Sequence, residues 1–170
     1  MNESPVKRPT GMTILLVLSL INACLQIFSN LGMYVTAPIM SQMMANGELE
    51  ETMAPFLPFL QIGDGDMDAF WKMIENRLSI NPIFYLLTAL LYVGSLVGVI
   101  KLFKLQRTGF HTYSISQMLI LIVSVIFIYS QRENIGFFND FLMTVMFILL
   151  YHLYLKRIEN DPKAKREQDI

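Results

Sequence analysis

The chain has 170 residues, of which 54% are hydrophobic and 16% are charged, and its formal net charge is −1. Because a soluble domain carries roughly a quarter charged residues, the charge is unusually low, and the near-zero net charge gives no indication of nucleic acid as a partner. The single cysteine, Cys24, excludes an intramolecular disulfide and the thiol oxidoreductases that work with a cysteine pair.

Charged residues are almost absent from four long apolar blocks, which predict helices at about 11–34, 82–103, 111–130 and 137–155. At a rise of 1.5 Å per residue, about 20 residues cross a hydrocarbon core of roughly 30 Å. Backbone groups in lipid must be hydrogen-bonded within their own segment, so isolated apolar runs of this length predict helices. The predicted fold class is all-α, an integral membrane four-helix bundle with a helical extracytoplasmic loop between helices 1 and 2.

The first block has an alternative interpretation as a cleaved signal peptide. Lys7 and Arg8 precede it, as bases precede a secretory signal. However, the block is about twice as long as the usual apolar region of a signal, and Pro38 would follow the cleavage site. Asn22 and Gln26 inside the block also suit a packed helix better than a signal. We therefore expect a membrane helix that is retained.

Lysine and arginine are distributed unevenly between the two sides of this predicted bundle. Ten of them lie in the N-tail (1–10), the connection 101–110 and the C-tail (156–170), and three lie elsewhere. Because positive residues favour the cytosolic side, we expect a multi-pass protein of the cell inner (plasma) membrane with both termini in the cytosol. The outward loop, 35–81, holds seven acids and two bases. The charged C-tail is expected to be disordered.

The outward loop at 35–81 predicts two short helices of its own. Residues 37–53 place methionines at helical spacing before a run of acids, which indicates an amphipathic helix on the membrane surface or on the bundle. Residues 69–78 predict a second helix with Asp68 as its N-cap. Trp71 on that helix is expected to anchor at the lipid headgroups.

An acidic motif precedes and enters that second short helix. Four acids follow the spacing of an EF-hand calcium loop, and they are the candidate metal site: Asp64, Asp66, Asp68 and Glu75. Ala69 stands where such a loop needs glycine, and Gly63 interrupts any entering helix. We expect helix capping at Asp68 rather than calcium binding.

Each predicted membrane helix carries polar residues at steps of three and four, which places them on one face. The residues expected to face the interior of the bundle are Asn22, Gln26, Tyr92 and Gln117. One interpretation is a polar cavity for a substrate or an ion. The other is hydrogen bonding between helices, at about 0.6 kcal/mol per contact, and it is favoured because no ionisable group lies at mid-membrane as most pumps require.

Three further features have ordinary structural interpretations. Asp140 is expected to cap the last membrane helix or to face its dipole. His111 and His152 lie at one depth, as haem ligands would, but we expect both to be solvated. Gly94 and Gly98 are spaced for a close helix contact, which indicates tight packing more than dimerisation.

The connection between the second and third predicted helices is basic. Lys101, Lys104 and Arg107 are expected to contact anionic lipid headgroups, at roughly 1 kcal/mol each. Gly109 is expected to supply the turn, and Phe110 is expected to anchor at the interface.

The chain resembles, at this connection, a group of small, uncharacterised bacterial four-helix membrane proteins. The shared pattern is a basic stretch, then Gly-Phe, a tyrosine and a glutamine, seen here as Lys104, Arg107, Gly109, Phe110, Tyr113 and Gln117. The resemblance covers about 75 residues and implies the architecture without any activity.

These observations predict a non-enzymatic integral membrane protein, an accessory or scaffolding component, with no cofactor. Its expected partners are the lipid bilayer and other membrane proteins or a second copy of the chain, and no nucleic acid. The alternative is a small transporter or channel with a polar path along the bundle axis.

Overall fold

The computed structural model describes residues 10–57, 67–129 and 135–159, which are helical and contain no strand. Its helices are α1 (Thr10–Ala45), α2 (Glu48–Met53), α3 (Met67–Leu78), α4 (Pro82–Phe103), α5 (Arg107–Ser124) and α6 (Ile135–Glu159). A π-helical segment, Val125–Tyr129, continues α5.

Four of the described helices are long and apolar enough to cross a membrane: α1, α4, α5 with its π-helical continuation, and α6. Their apolar windows have mean hydropathy values from 1.5 to 2.2. The predicted all-helical class and the four long apolar helices are therefore confirmed. This is the architecture of a multi-pass membrane protein.

The first helix is longer than the sequence predicts. It continues through Pro38 to Ala45 instead of ending near residue 34. The prediction of a separate amphipathic helix over 37–53 is thus wrong for its first part, and only α2 is separate. The break comes at Gly47, whose φ of 77° is a left-handed conformation that glycine adopts without strain.

The tightest contact between helices lies where α4 crosses α5. A Cβ on Gly98 would lie 2.6 Å from the backbone nitrogen of Tyr113, and a Cβ on Gly109 would lie 2.7 Å from the carbonyl oxygen of Gly98. The predicted tight packing at Gly98 is confirmed. Gly109 is not the turn residue, because the turn lies before α5 and contains Leu105 at φ 57°. Gly109 instead lets two backbones touch.

The bundle has two ends with different packing. We call one of them the tail end. The first residues of α1 and α5 and the last residues of α4 and α6 lie there. There α1, α4, α5 and α6 share a buried apolar cluster, the tail-end cluster: Met12, Leu16, Val99, Leu102, Tyr113 and Tyr151. Throughout the bundle α4 packs closely against both α1 and α5, whereas α6 contacts α5 over a shorter stretch.

We call the opposite end the loop end, because α2 and α3 lie there. A second cluster, the loop-end cluster, holds them against α1 and α4: Ala37, Leu49, Leu78, Ile80, Phe84 and Tyr85. The hydroxyl of Tyr85 donates to the carbonyl oxygen of Arg77 at 2.8 Å, which ties the end of α3 to α4. Asn81 then caps α4, since its Oδ1 accepts from the backbone nitrogen of Ile83 at 3.0 Å. These bonds place α3 at the loop end of the bundle.

Candidate ligand cavity

A cavity of about 1090 Å³ lies inside the loop half of the bundle, with walls from α1, α3, α4, α5 and α6. Its polar lining comes from every membrane-crossing helix: Ser19, Asn22, Gln26 and Asn30 on α1, Thr88 and Tyr92 on α4, Tyr113, Gln117 and Ser124 on α5, and Asp140 and Thr144 on α6. The four residues predicted to face the interior, Asn22, Gln26, Tyr92 and Gln117, all lie along this cavity. The polar faces of separate helices therefore meet around one space.

Part of this polar lining is paired within the protein. Nε2 of Gln117 donates to Oγ of Ser95 at 2.9 Å, which joins α5 to α4. Nδ2 of Asn30 donates to the backbone oxygen of Gln26 at 2.7 Å and lies 3.4 Å from its side-chain Oε1. These bonds are the interhelical and local contacts that the sequence analysis favours for such residues.

Other polar groups of the lining have no such partner. Within the described residues, neither the amide of Asn22 nor the hydroxyl of Tyr92 has a hydrogen-bond partner. Asn22 is exposed although it lies in the middle of an apolar helix, and it is exposed because it faces the cavity. An amide placed in hydrocarbon without a partner costs roughly 4–8 kcal/mol. These groups therefore need water or a polar ligand beside them.

Asp140 contributes a carboxylate to the cavity wall. It lies beyond the first turn of α6, which begins at Ile135 and has no acid in that turn, so the prediction that Asp140 caps the helix or faces its dipole is wrong. Asp140 lines the same cavity as Tyr92. Asp140 thus belongs to the site and not to the end of a helix.

The cavity ends toward the tail end at a layer of aromatic side chains. The hydroxyl oxygen of Tyr151 lies 2.7 Å from Oγ of Ser19 and 3.0 Å from the carbonyl oxygen of Leu15, so α6 is joined to α1. The rings of Tyr113 and Tyr151 meet edge to face with centroids 5.0 Å apart. Beyond them lies the buried tail-end cluster. Met12, Leu16, Val99 and Leu102 of that cluster do not line the cavity.

The loop end of the cavity is bounded by α3. Lys72, Met73, Asn76 and Arg77 of α3 line it. The sequence predicts only that Trp71 of this helix anchors at the headgroups, and Lys72, Asn76 and Arg77 were not predicted to line a cavity. The signal for it is the spacing of Ala69, Lys72 and Asn76, which places small and polar residues on one face of α3.

The candidate metal site is described only in part. Asp64 and Asp66 lie outside the described residues. Asp68 is the second residue of α3 and not its N-cap, so that prediction is wrong, and it lies in the first turn, where an acid favourably faces the helix dipole. Across the part of the chain that the structure describes, no group of three or more acids, histidines and cysteines could hold a metal ion.

Trp71, which is predicted to anchor at the lipid headgroups, contacts the rest of the protein. Its side chain is half-buried and packs against the loop-end cluster. Its indole Nε1 is buried and has no hydrogen-bond partner among the described residues. Packing against α1 and α4 has therefore drawn this ring into the protein.

The remaining candidate residues lie at the tail end. His111 and His152 are both exposed, and the ring of Phe110 contacts each of them, with centroids 5.7 and 5.9 Å apart. Lys104 and Arg107 are exposed, and Lys101 is half-buried. The basic residues are thus near the surface where headgroups would lie, remote from the cavity.

The chain was compared with family models, with curated proteins and with solved structures, and none of them matches. The resemblance to small bacterial four-helix membrane proteins stays a prediction.

Proposed function

We propose that the chain is a non-enzymatic, multi-pass protein of the inner (plasma) membrane that takes up a small molecule into the cavity from the extracytoplasmic side, as a small transporter does. The observation that carries this proposal is the convergence of polar side chains from all four membrane-crossing helices on one space of about 1090 Å³. Ligand sites in proteins typically measure about 300–1,000 Å³, so the cavity is large enough for such a molecule.

The distribution of unpaired polar groups supports binding over simple helix packing. If the polar faces served only to join helices, Asn22 and Tyr92 would be hydrogen-bonded to neighbouring helices as Gln117 is to Ser95. Instead they face a space that must hold water or a polar ligand. The transporter alternative of the sequence analysis is therefore preferred to the accessory role.

The orientation of the cavity follows from the charge distribution of the chain. Ten of its thirteen lysines and arginines lie in sequence segments that precede α1, join α4 to α5 or follow residue 155. The positive-inside rule assigns these segments to the cytosol. The cavity would then lie in the outer half of the bundle, with the Tyr151–Ser19 layer between it and the cytosol. We propose that it opens outward, since a transporter with alternating access exposes its site to one side at a time.

The chemistry of the lining supports binding without catalysis. Among the described residues of the cavity wall, Asp140 is the single carboxylate, and no histidine or cysteine is present. Acid–base chemistry on a bound molecule would need a paired acid and base, or a nucleophile with its base, within hydrogen-bond reach.

Cysteine labelling tests whether water reaches the cavity from outside. In a Cys24→Ala background, a cysteine is introduced at Gln117, which lines the cavity, or at Met118, which is exposed on the apolar surface of the same helix. A membrane-impermeant maleimide should label Gln117→Cys in right-side-out vesicles and not in inside-out vesicles. Met118→Cys, at the same depth in lipid, should stay unlabelled in both.

Two results would contradict the proposal. If Gln117→Cys is no more reactive than Met118→Cys, the cavity is closed to water, and the accessory or scaffolding role is the better conclusion. If Gln117→Cys reacts only in inside-out vesicles, the cavity opens to the cytosol and the proposed orientation is wrong.

A further inference from the structure

Two basic residues of α3 are part of the cavity wall. Lys72 and Arg77 both line the cavity, and they lie about 7.5 Å apart along the helix axis at 1.5 Å per residue. Neither side chain forms an ion pair or a side-chain hydrogen bond within the part of the chain that is described. Both are exposed. Two cations without partners therefore stand at the loop end of the cavity.

The acids and the bases of α3 differ in whether they line the cavity. Its acids Asp68 and Glu75 do not line the cavity, whereas its two bases do. Across the whole outward loop, 35–81, there are seven acids but only these two bases. Among the described residues of the loop, the two bases are part of the cavity wall and the acids are not.

The opposite wall does not neutralise this pair. Asp140 on α6 is the one acidic residue of the described lining, against the two bases of α3. Lysine and arginine donate charge-assisted hydrogen bonds to phosphate and carboxylate oxygens, which are roughly twice as strong as neutral ones. A ligand with an oxyanion at one end would satisfy the cations of α3, and its remaining polar groups would reach Asn22 and Tyr92 deeper in the cavity.

We propose that the loop end of the cavity binds an oxyanion, a phosphate or carboxylate group, through Lys72 and Arg77. This inference rests on the proposed function, since it names the chemical class of the ligand for the same cavity. The oxyanion has two sources, a soluble anion from the extracytoplasmic space or the headgroup of an anionic lipid. The two sources are distinguished by the experiment.

Trp71 provides a built-in probe for this site. It is the only tryptophan of the chain, and it precedes Lys72 on α3. Its emission should change when an anion binds next to it, and bromine atoms on a bound lipid should quench it. The full chain is reconstituted in phosphatidylcholine vesicles, and ionic strength is held constant with sodium chloride.

The soluble arm of the experiment uses inorganic phosphate and glycerol 1-phosphate. The lipid arm compares quenching by brominated phosphatidylglycerol with quenching by brominated phosphatidylcholine at equal content. A saturable change of Trp71 emission in the first arm identifies a soluble anion. Excess quenching by phosphatidylglycerol in the second arm alone identifies a lipid headgroup.

Three variants show whether the response depends on the two bases. Replacing both, as Lys72→Gln with Arg77→Gln, should weaken the response about a hundredfold, because two charge-assisted hydrogen bonds are lost. The charge-conserving pair Lys72→Arg with Arg77→Lys should retain it, which separates lost charge from misfolding. Lys156→Gln removes one base at the tail end and should leave the response unchanged.

The inference is overturned if neither arm gives a response, or if the double glutamine variant responds as strongly as the unchanged chain. The cysteine labelling separates these failures. If Gln117→Cys is labelled from outside and no anion binds, only the ligand class is wrong. If Gln117→Cys is not labelled, the proposed function itself fails.

Discussion

The tail end and the loop end of this bundle are built from the same four helices but differ in what lies between them. At the tail end glycines bring α4 and α5 into backbone contact, and Tyr151 bonds to Ser19 across the bundle. At the loop end the polar faces stand apart around a cavity, with α3 along its wall. Apolar packing fills one end, and polar side chains line a cavity at the other.

Polar side chains have two different roles at the two ends: some bond to other helices, and others line the cavity. Ser19 lies at the boundary, where its hydroxyl is bonded to Tyr151 and also faces the cavity. Toward the tail end, polar groups are satisfied by protein. Toward the loop end, the polar groups of Asn22 and Tyr92 have no hydrogen-bond partner among the described residues and need water or a polar ligand. Substitutions at the two ends should therefore have opposite consequences for stability and for binding.

The largest effect is expected from a methyl group at the α4–α5 crossing. Gly98→Ala would place a Cβ 2.6 Å from the backbone nitrogen of Tyr113, so the helices must separate, at a cost of about 1–3 kcal/mol in the free energy of unfolding. Unfolding in mixed micelles, with dodecyl sulfate as denaturant and circular dichroism as readout, measures it.

Gly32→Ala is the matched control for this substitution. It also lies in a membrane-crossing helix, but nothing lies within 4 Å of its Cβ position. It should leave stability unchanged or raise it slightly, because alanine favours helix over glycine. Equal losses for the two variants would show that the crossing is not tight, and the contrast between the two ends would be lost.

A smaller effect is expected at the layer that separates the ends. Tyr151→Phe removes the hydroxyl that lies 2.7 Å from Oγ of Ser19 and should cost about 1 kcal/mol, within the range of hydrogen bonds between membrane helices. Ser19→Ala should cost less once Tyr151→Phe is present, and a double-mutant cycle gives the coupling energy.

Tyr34→Phe is the control for that pair, because Tyr34 is 40% exposed on α1 and should tolerate the loss of its hydroxyl. A coupling energy of zero between Ser19 and Tyr151 would mean that the layer is held by ring packing alone.

The smallest effect on stability is expected inside the cavity. Gln26→Leu removes an amide whose side-chain contact to Asn30 is long, at 3.4 Å, so the free energy of unfolding should change by less than about 0.6 kcal/mol. The same substitution should reduce ligand uptake, because it makes the wall apolar.

Leu25→Gln provides the comparison at the next position of α1. Leu25 is 63% exposed on the apolar surface, so a glutamine there would face lipid and should destabilise the protein. If Gln26→Leu lowers the free energy of unfolding more than Tyr151→Phe does, the loop end depends on its polar residues for packing. The cavity interpretation is then weakened.

The helices were predictable because each is a local property of the chain. An apolar run such as 82–103 needs no partner to be recognised, and Asn81-Pro82 marks its start through a cap and a fixed φ. The polar faces were predictable for the same reason, since residues three and four apart share a face of any helix. Whether the polar faces of two helices bond to each other or line a cavity was not predictable, because that depends on residues far apart in sequence.

The sequence by itself thus determined four long apolar helices, their polar faces and an uneven distribution of charge, all of which follow from composition and periodicity. Only the tertiary structure decided that Lys72 and Arg77 of α3 line the cavity, that Asp140 lines its wall, and that Gly109 is a contact and not a turn. The reason is physical: each of these depends on how closely two helices approach, and that distance is set by the side chains of both helices together.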